Sequence, residues 1–164
     1  MSEAVLGTIL PTGVAAEELF EDPPGLEPHP REAHLIEKAV DKRKREFTSA
    51  RHCARLALGR LGLDPAPILR GDMGSPVWPN GVVGSLTHCD GYRAAAVSYA
   101  LRLRSVGIDA EPHEPLPDGV LDAVSIAAER DVLATRTDGE VHWDKLLFCA
   151  KEATYKAWYP LTGR

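Results

Sequence analysis

The chain has 164 residues, of which 44% are hydrophobic and 26% charged, and its formal net charge is −5 at pH 7. This length suits one domain, or two small lobes that share a core, and the composition is that of a soluble globular protein rather than a disordered one. The acidic balance argues against a general nucleic-acid-binding protein, and the sequence has no apolar run long enough to span a membrane.

The cysteines and the N-terminus indicate the compartment. Cys53, Cys89 and Cys149 are odd in number, lie far apart and form no CxxC motif. They predict neither a zinc site nor a disulfide framework, and we expect small apolar side chains in a reduced, cytoplasmic protein. The N-terminus lacks a basic region before its apolar residues, so no signal peptide is expected.

The first half of the chain is predicted to contain a short strand, two helices and a loop. The strand is expected at Gly7–Leu10, the helices at Glu32–Val40 and Lys42–Leu61, and the loop between residues 64 and 81, where prolines and glycines are frequent. The longer helix has apolar residues at spacings of three and four, which predict one buried stripe: Phe47, Ala50, Ala54, Ala57 or Leu58, and Leu61.

Strands are predicted next, followed by helices. Val82–His88 and Tyr92–Tyr99 should form a hairpin around an Asp-Gly turn, and Ser105–Glu111 should form a third strand. A helix is expected at Val120–Leu133, a turn at residues 137–139, and a last helix at Trp143–Trp158, closed by Pro160. The last helix has a predicted core stripe as well: Trp143, Leu146, Leu147, Ala150, Ala153 or Thr154, and Ala157. This order of elements predicts an α+β fold.

Two carboxylates in the predicted third strand could bind a metal. Asp109 and Glu111 are two residues apart, so in a strand their side chains project from the same face. Two like charges this close oppose each other unless a cation lies between them, and hard oxygen ligands suit Mg²⁺. The alternative is a polar, solvent-exposed face at the end of a strand.

The last helix has a charged pair of its own. Glu152 and Lys156 have the i, i+4 spacing that favours an ordinary surface salt bridge, which would contribute only ~0.3–0.5 kcal/mol. The residues just before them are apolar, however, so the pair could instead lie at the edge of a closed site.

Phosphate-binding residues are also suggested. His88 follows hydroxyl side chains at a predicted strand end, where it could donate to a phosphate oxygen or serve as a structural residue. There is no P-loop and no GxGxxG motif, so phosphate neutralisation would require cationic side chains. The predicted 42–61 helix supplies them, although they could also form a solvated helix face: Lys42, Arg43, Lys44, Arg45, Arg51, Arg55 and Arg60. Together these features suit a magnesium-assisted displacement on a diphosphate.

The sequence GIDAE, followed by WDKLLFCAKEATYKAW, resembles the paired signature of 4′-phosphopantetheinyl transferases. The similarity continues upstream through KRKREFTSARHCARLALGRLG and ILRGDMGSPVWPNGVVGSLTHCDGY. It is strongest to the monomeric, broad-specificity bacterial class that activates fatty-acid, polyketide and nonribosomal peptide machinery, including siderophore synthesis. The resemblance implies transfer of phosphopantetheine from coenzyme A, as co-substrate, to a serine of an acyl or peptidyl carrier protein, with Mg²⁺ as cofactor and 3′,5′-ADP as product. The alternatives are a coenzyme A-binding module without turnover and a metal-dependent phosphohydrolase that uses the same carboxylates on a different nucleotide.

The resemblance also implies roles for individual residues. Asp109, Glu111 and Glu152 would coordinate Mg²⁺, and Glu152 would also take the proton of the carrier serine, directly or through water. Lys156 would contact the diphosphate and stabilise the charge that develops on the leaving group.

For coenzyme A binding, the resemblance places Arg43 and Arg51 at the 3′-phosphate and Thr87 and His88 at phosphate oxygens. A further group would lie along the nucleotide: Arg70, Gly71, Asp72 and Met73.

The family fold is a pseudo-twofold pair of α+β lobes with the site between them. We expect residues 1–112 to form the first lobe and residues 113–164 to begin the second. Because family members continue into further strands after the last helix, we expect the second lobe to be incomplete at its C-terminus.

Overall fold

A computed structural model describes residues 5–136 and 139–164. Helices and strands are distributed along the chain as an α+β fold, which confirms the predicted class. The helices are α1 (Leu6–Ile9), α2 (Asp41–Arg60), α3 (Val120–Val124), α4 (Ala127–Ala134) and α5 (Trp143–Thr162). The strands are β1 (Val14–Leu19), β2 (Leu69–Arg70), β3 (Pro76–Val77), β4 (Val82–Cys89) and β5 (Tyr92–Tyr99).

The main sheet has three antiparallel strands in the order β1-β5-β4. Both strands of the predicted hairpin are confirmed, β5 with the predicted bounds. Cys89 pairs with Tyr92 next to the turn, where Gly91 has a φ of 75°. A side chain would be strained in that conformation, which explains the glycine of the Asp-Gly pair.

Helix α2 covers one face of the sheet. Its predicted apolar stripe is confirmed, since all its members are buried except Leu61, which is half-buried just after the helix. Four residues of α2 form a core with three residues of β4 and β5. The helix supplies Cys53, Ala54, Ala57 and Leu58, and the strands supply Val82, Ala95 and Val97. This burial fixes α2 on the sheet.

The segment after β5 crosses the opposite face of the sheet. Val106 and Ile108 are buried there against alanines of β5. The strand predicted at Ser105–Glu111 is wrong, because the backbone N–H groups of Ile108 and Ala110 donate to side-chain hydroxyls of β4 rather than to a neighbouring strand. This crossing segment, residues 105–111, is extended and carries Asp109 across the sheet.

Two predictions in the N-terminal part are also wrong. Residues predicted as the strand Gly7–Leu10 lie mostly in α1, whose first N–H group, that of Leu6, donates to the Glu18 carboxylate at 2.6 Å. The helix predicted at Glu32–Val40 is reduced to a 3₁₀ turn at Ala33–Leu35, because Glu32 is drawn into the interior.

The C-terminal helices differ from the prediction at their ends. The helix expected at Val120–Leu133 is interrupted between α3 and α4, where the Glu129 carboxylate accepts a hydrogen bond from the N–H of Ile126 and begins a new helix. Residues 137 and 138 of the predicted turn lie outside the described residues. Helix α5 continues through Pro160, because a proline in the last turn removes only one backbone hydrogen bond, and it ends at Thr162, capped by Gly163.

The core stripe predicted for α5 is only partly covered. Trp143, Leu147, Ala153 and Ala157 are half-buried, whereas Leu146 and Ala150 are exposed, and Lys145 is the one buried residue among those described in this helix. None of the helices in the described ranges has an apolar stretch of the length needed to cross a bilayer.

Candidate active site

A cavity of 610 Å³ lies between α2, the loop at residues 73–78, β4, and α5. Most of the residues predicted to form the site line it: Arg43, Arg51, Met73, Thr87, His88, Asp109, Glu152 and Lys156. Residues that are up to 113 positions apart in sequence are therefore brought around one space. Four predicted residues lie outside its wall: Arg70, Gly71, Asp72 and Glu111.

Lys156 and Asp109 form an ion pair on the α5 side of the cavity. The Lys156 ammonium lies 2.6 Å from Asp109 Oδ1 and donates to the Ile108 carbonyl at 3.2 Å. The Asp109 side chain is only 7% exposed. Lys156 is thus held at the cavity wall by the crossing segment, and no ion pair with Glu152 is found among the described contacts.

The three predicted metal ligands do not converge. Glu111 pairs with Lys145 at 3.6 Å, and Lys145 lies eleven residues before Lys156 along α5. Within the described parts of the chain, no three His, Cys, Asp or Glu side chains are arranged to hold a metal ion. The same-face arrangement of Asp109 and Glu111 therefore stays a prediction, as does the ligand set.

Asp109 and Glu152 do have properties that fit a hard cation. Asp109 Oδ2 is buried, and no described residue forms a hydrogen bond with it. Burial, and then the negative charge of Asp109, raise the pKa of the nearby Cys149 thiol to about 12. Glu152 lines the same cavity and has no ion-pair partner among the described residues. Carboxylate oxygens are the donors that Mg²⁺ prefers, so the residue types fit this metal.

Arg43 lies on the other side of the cavity, at the start of α2. Its Nη1 atom donates to His88 Nε2 at 2.5 Å and lies 4.0 Å from the Glu46 carboxylate. Burial, and then the charge of Arg43, lower the pKa of His88. His88 is consequently an acceptor for Arg43 in this arrangement.

Arg51 is held two turns further along α2. Its Nε atom donates to the Ile68 carbonyl at 2.8 Å, and its guanidinium lies 3.5 Å from the centroid of the Phe47 ring. Burial lowers the pKa of Arg51 to about 10, so the side chain stays cationic near neutral pH. It presents a fixed positive charge at the cavity wall.

The end of β4 connects the two sides of the cavity. Consecutive residues of a strand project to opposite faces, so Thr87 and His88 point away from each other. His88 meets Arg43 on the α2 side, and the Thr87 hydroxyl accepts from the N–H of Ala110 at 2.9 Å on the other side. The Thr87 hydroxyl also donates to Asp109 Oδ1 at 3.4 Å, so it already serves the crossing segment.

Of the residues predicted to lie along the nucleotide, Met73 lines the cavity. The N–H of Gly71 donates to the Ser75 carbonyl at 2.8 Å, which closes a tight loop. Met73 has a φ of 53° and is 82% exposed. An exposed, non-glycine residue in this backbone region is uncommon and often marks a binding loop.

Aromatic residues of the cavity were missed by the sequence analysis: Phe47, Trp78, Tyr155 and Tyr159. Trp78 Nε1 donates to the Gly84 carbonyl at 3.0 Å, and a Cβ atom added at Gly84 would lie 2.7 Å from the Trp78 ring. Phe47 could have been found from its position midway between Arg43 and Arg51, one helical turn from each.

Gly107, like Gly84, lies so close to a neighbouring group that there is no room for a side chain. A Cβ atom at this position would overlap the carbonyl oxygen of Ala153 and lie 2.8 Å from the backbone nitrogen of Ala157. The crossing segment therefore touches the backbone of α5 directly, between the turns that carry Glu152 and Lys156.

Two family models match the chain. Residues 31–98 match the 4′-phosphopantetheinyl transferase N-terminal domain, and residues 105–164 match the 4′-phosphopantetheinyl transferase superfamily. The N-terminal match contains α2 and the main hairpin, and the second match contains Asp109 and α5.

Curated relatives are similar over nearly the whole chain. The 4′-phosphopantetheinyl transferase Npt of Nocardia iowensis is 63% identical over 160 residues, covering 98% of this chain and 72% of the relative. PptT of Mycobacterium tuberculosis is 58% identical over 164 residues, with the same coverage of both chains. Svp of Streptomyces mobaraensis is 53% identical over 165 residues, covering 97% of this chain and 67% of the relative.

Proposed function

We propose that this chain, which belongs to the 4′-phosphopantetheinyl transferase family, transfers the 4′-phosphopantetheine group of coenzyme A to a serine of acyl or peptidyl carrier proteins. Its family makes it a transferase of the holo-acyl-carrier-protein synthase type. The observation that carries the finer proposal is the single cavity in which Asp109, Glu152 and Lys156 face Arg43 and Arg51.

The proposed reaction is a displacement at phosphorus. The serine oxygen of the carrier protein forms a bond to the β-phosphorus of coenzyme A, and the bond from this phosphorus to the oxygen bridging the two phosphates breaks. 3′,5′-ADP leaves with that oxygen, and the serine proton passes to the Glu152 carboxylate, directly or through water. Glu152 suits this role because it borders the cavity without an ion-pair partner in the described structure.

Lys156 is proposed to stabilise the leaving group. Negative charge grows on the bridging oxygen as the bond to phosphorus breaks, and a fixed ammonium nearby lowers the energy of that state. The Asp109 carboxylate and the Ile108 carbonyl hold Lys156 in place before substrate arrives. The Lys156 ammonium is therefore already oriented when the reaction begins.

Magnesium would be held by Asp109, Glu111 and Glu152. Bound there, Mg²⁺ would neutralise the diphosphate and polarise its phosphoryl oxygens. The unpartnered Asp109 Oδ2 supports this assignment most directly. Glu111 would have to exchange its contact with Lys145 for the metal.

The α2 side of the cavity would bind the anionic nucleotide. Arg43 and Arg51 are proposed to hold the 3′-phosphate, with His88 and Thr87 at phosphate oxygens. For Arg51, the contact would be charge-assisted and worth ~1.5–3 kcal/mol, or roughly ten- to a hundredfold in affinity. Arg70, Gly71, Asp72 and Met73 would lie along the nucleotide. We also propose that the protein acts as a cytoplasmic monomer.

Mass spectrometry of an apo-carrier protein tests the function. The carrier is incubated with this chain, coenzyme A and Mg²⁺, and we expect a mass gain of one phosphopantetheine group together with release of 3′,5′-ADP. A carrier whose acceptor serine is replaced by alanine is the control and should gain nothing. Binding of coenzyme A without transfer would instead indicate a binding module, and cleavage of the nucleotide without a carrier would indicate a phosphohydrolase.

A further inference from the structure

Glu32 is a fully buried carboxylate outside the cavity. Its relative exposure is 0%, and it lies beside the 3₁₀ turn that precedes α2. Its Oε1 atom accepts two hydrogen bonds, from Arg55 Nη1 at 2.8 Å and from the backbone N–H of Ile68 at 2.7 Å. Its Oε2 atom is buried, and no described residue forms a hydrogen bond with it. A carboxyl group is costly to bury without partners, and Arg55 and Ile68 supply them here.

Ile68 connects Glu32 to Arg51. The N–H of Ile68 donates to Glu32, and the carbonyl of the same residue accepts the hydrogen bond from Arg51 Nε at 2.8 Å. Ile68 is itself fully buried. Glu32 and Arg51 therefore contact the same buried residue, Glu32 through the N–H of Ile68 and Arg51 through its carbonyl.

The orientation of Arg51 depends on that acceptor. With Nε committed to Ile68 and the flat face of the guanidinium against Phe47, the side chain is fixed in both direction and tilt. The terminal nitrogens then remain for a ligand in the cavity. The charged neighbours act in opposite directions on the pKa of Arg51, since Glu32 raises it while Arg70, Arg43 and Arg55 lower it. Glu32 therefore supplies both a fixed anchor and a compensating charge within a cationic cluster.

We propose that Glu32 is a positioning residue for coenzyme A recognition, which acts through Ile68 to hold Arg51 in the orientation that selects the 3′-phosphate. This inference rests on the proposed role of Arg51 at that phosphate. It assigns a substrate-selecting function to a residue that does not line the cavity.

The test compares the affinities of the intact chain for coenzyme A and 3′-dephospho-coenzyme A, measured by calorimetry without carrier protein. Glu32→Ala removes the acceptor for the N–H of Ile68. It should lower the preference for coenzyme A over 3′-dephospho-coenzyme A by about tenfold, which is the effect of one charge-assisted hydrogen bond. Affinity for 3′-dephospho-coenzyme A should change little. Glu32→Gln keeps an oxygen acceptor of nearly the same size and should retain most of the preference.

The Arg51→Ala variant distinguishes the positioning role of Glu32 from the proposed 3′-phosphate site at Arg51. If Arg51 binds the 3′-phosphate, this variant loses most of the preference, and adding Glu32→Ala to it causes no further loss. A full loss with Arg51→Ala but none with Glu32→Ala would overturn the positioning role alone. An unchanged preference with Arg51→Ala would overturn the proposed 3′-phosphate site. An equal loss for both ligands in Glu32→Ala and Glu32→Gln would mean that Glu32 is merely structural and would also contradict the proposal. If Glu32→Ala does not fold, the same comparison is made with Glu32→Leu, which removes the acceptor and fills the buried volume with an apolar side chain of similar size.

Discussion

Helices α2 and α5 are both 20 residues long and both supply residues to the cavity, but they are attached to the protein differently. Helix α2 buries an apolar stripe against the sheet, including Cys53, Ala54 and Leu58 at 0% exposure. Helix α5 has one buried residue in the described structure, a lysine.

Polar contacts attach α5 instead. Lys145, Lys151 and Lys156 form ion pairs with carboxylates of other segments, and the Asp144 carboxylate accepts from the N–H of Leu116 at 2.8 Å. Apolar burial is insensitive to the exact placement of a side chain, whereas ion pairs and a close backbone contact are specific in position. The comparison indicates that α2 provides stability and a fixed cationic wall, while α5 is positioned by polar contacts, one of which joins the Lys156 and Asp109 proposed to act in the reaction.

The largest expected effect is at Asp109, which holds Lys156 on the α5 side of the cavity. Asp109→Asn preserves the shape of the side chain but removes the charge that holds Lys156 and would bind the metal. We expect transfer activity to fall at least about a hundredfold, the loss typical of an electrostatic group acting on the transition state. Activity is measured as holo-carrier formation, and Mn²⁺ binding by electron paramagnetic resonance should weaken in parallel. Asn is a better replacement than Ala because the carboxylate is buried and Asn fills the same space. Transfer at the wild-type rate by Asp109→Asn would contradict both the positioning of Lys156 and the metal-binding role.

A pair of leucines tests the apolar attachment of α2. Leu58 is fully buried, so Leu58→Ala should lower the free energy of unfolding by about 2–5 kcal/mol through lost burial and a cavity. Leu146 on α5 is 48% exposed, and Leu146→Ala should change the free energy by no more than about 0.5 kcal/mol. Chemical denaturation measures both variants. Similar losses would show that α5 is also held mainly by apolar burial.

A pair of glycines tests the close approach at α5. Gly107→Ala places a methyl group against the α5 backbone and should destabilise the protein by about 1–3 kcal/mol, as overpacking does, while displacing Lys156 from Asp109. Gly59→Ala, in α2, is the control, because a Cβ atom there meets nothing within 4 Å. It should stabilise the protein by about 0.5–1 kcal/mol. Thermal unfolding and transfer activity are recorded for both, and a neutral Gly107→Ala would refute the positioning of α5 by this contact.

The smallest expected effect is a pH dependence on the α2 side. Burial and Arg43 lower the pKa of His88 below its usual value of 6.5. The unfolded chain therefore binds more protons than the folded one below about pH 6.5, so stability should fall as the pH decreases through this range. His52, whose pKa is also lowered, contributes in the same direction. His88→Gln should flatten the slope of unfolding free energy against pH between about 6.5 and 5, and an unchanged slope would exclude His88 as a source.

Elements with local signals could be predicted from the amino-acid sequence alone. The apolar spacing in α2 and the Asp-Gly turn between β4 and β5 were sufficient, because helix periodicity and turn geometry depend on neighbouring residues. The two motifs around Asp109 and Lys156 also identified the family, and with the upstream similarity they led to twelve predicted site residues, of which eight line the cavity.

The pairing of charged side chains, in contrast, depends on the assembled fold. Lys156 was expected beside Glu152 at helical spacing but meets Asp109, which lies 47 residues earlier in the chain. The segment at Ser105–Glu111 alternates like a strand, yet two of its N–H groups donate to the hydroxyls of Ser85 and Thr87 in β4 and not to backbone carbonyls of a neighbouring strand. Glu32 was assigned to a helix from its neighbours, but its carboxylate is buried against a backbone N–H that lies 36 residues away. Partners this distant in sequence leave no local pattern, because the free energy that selects them arises only when the layers of the fold come together.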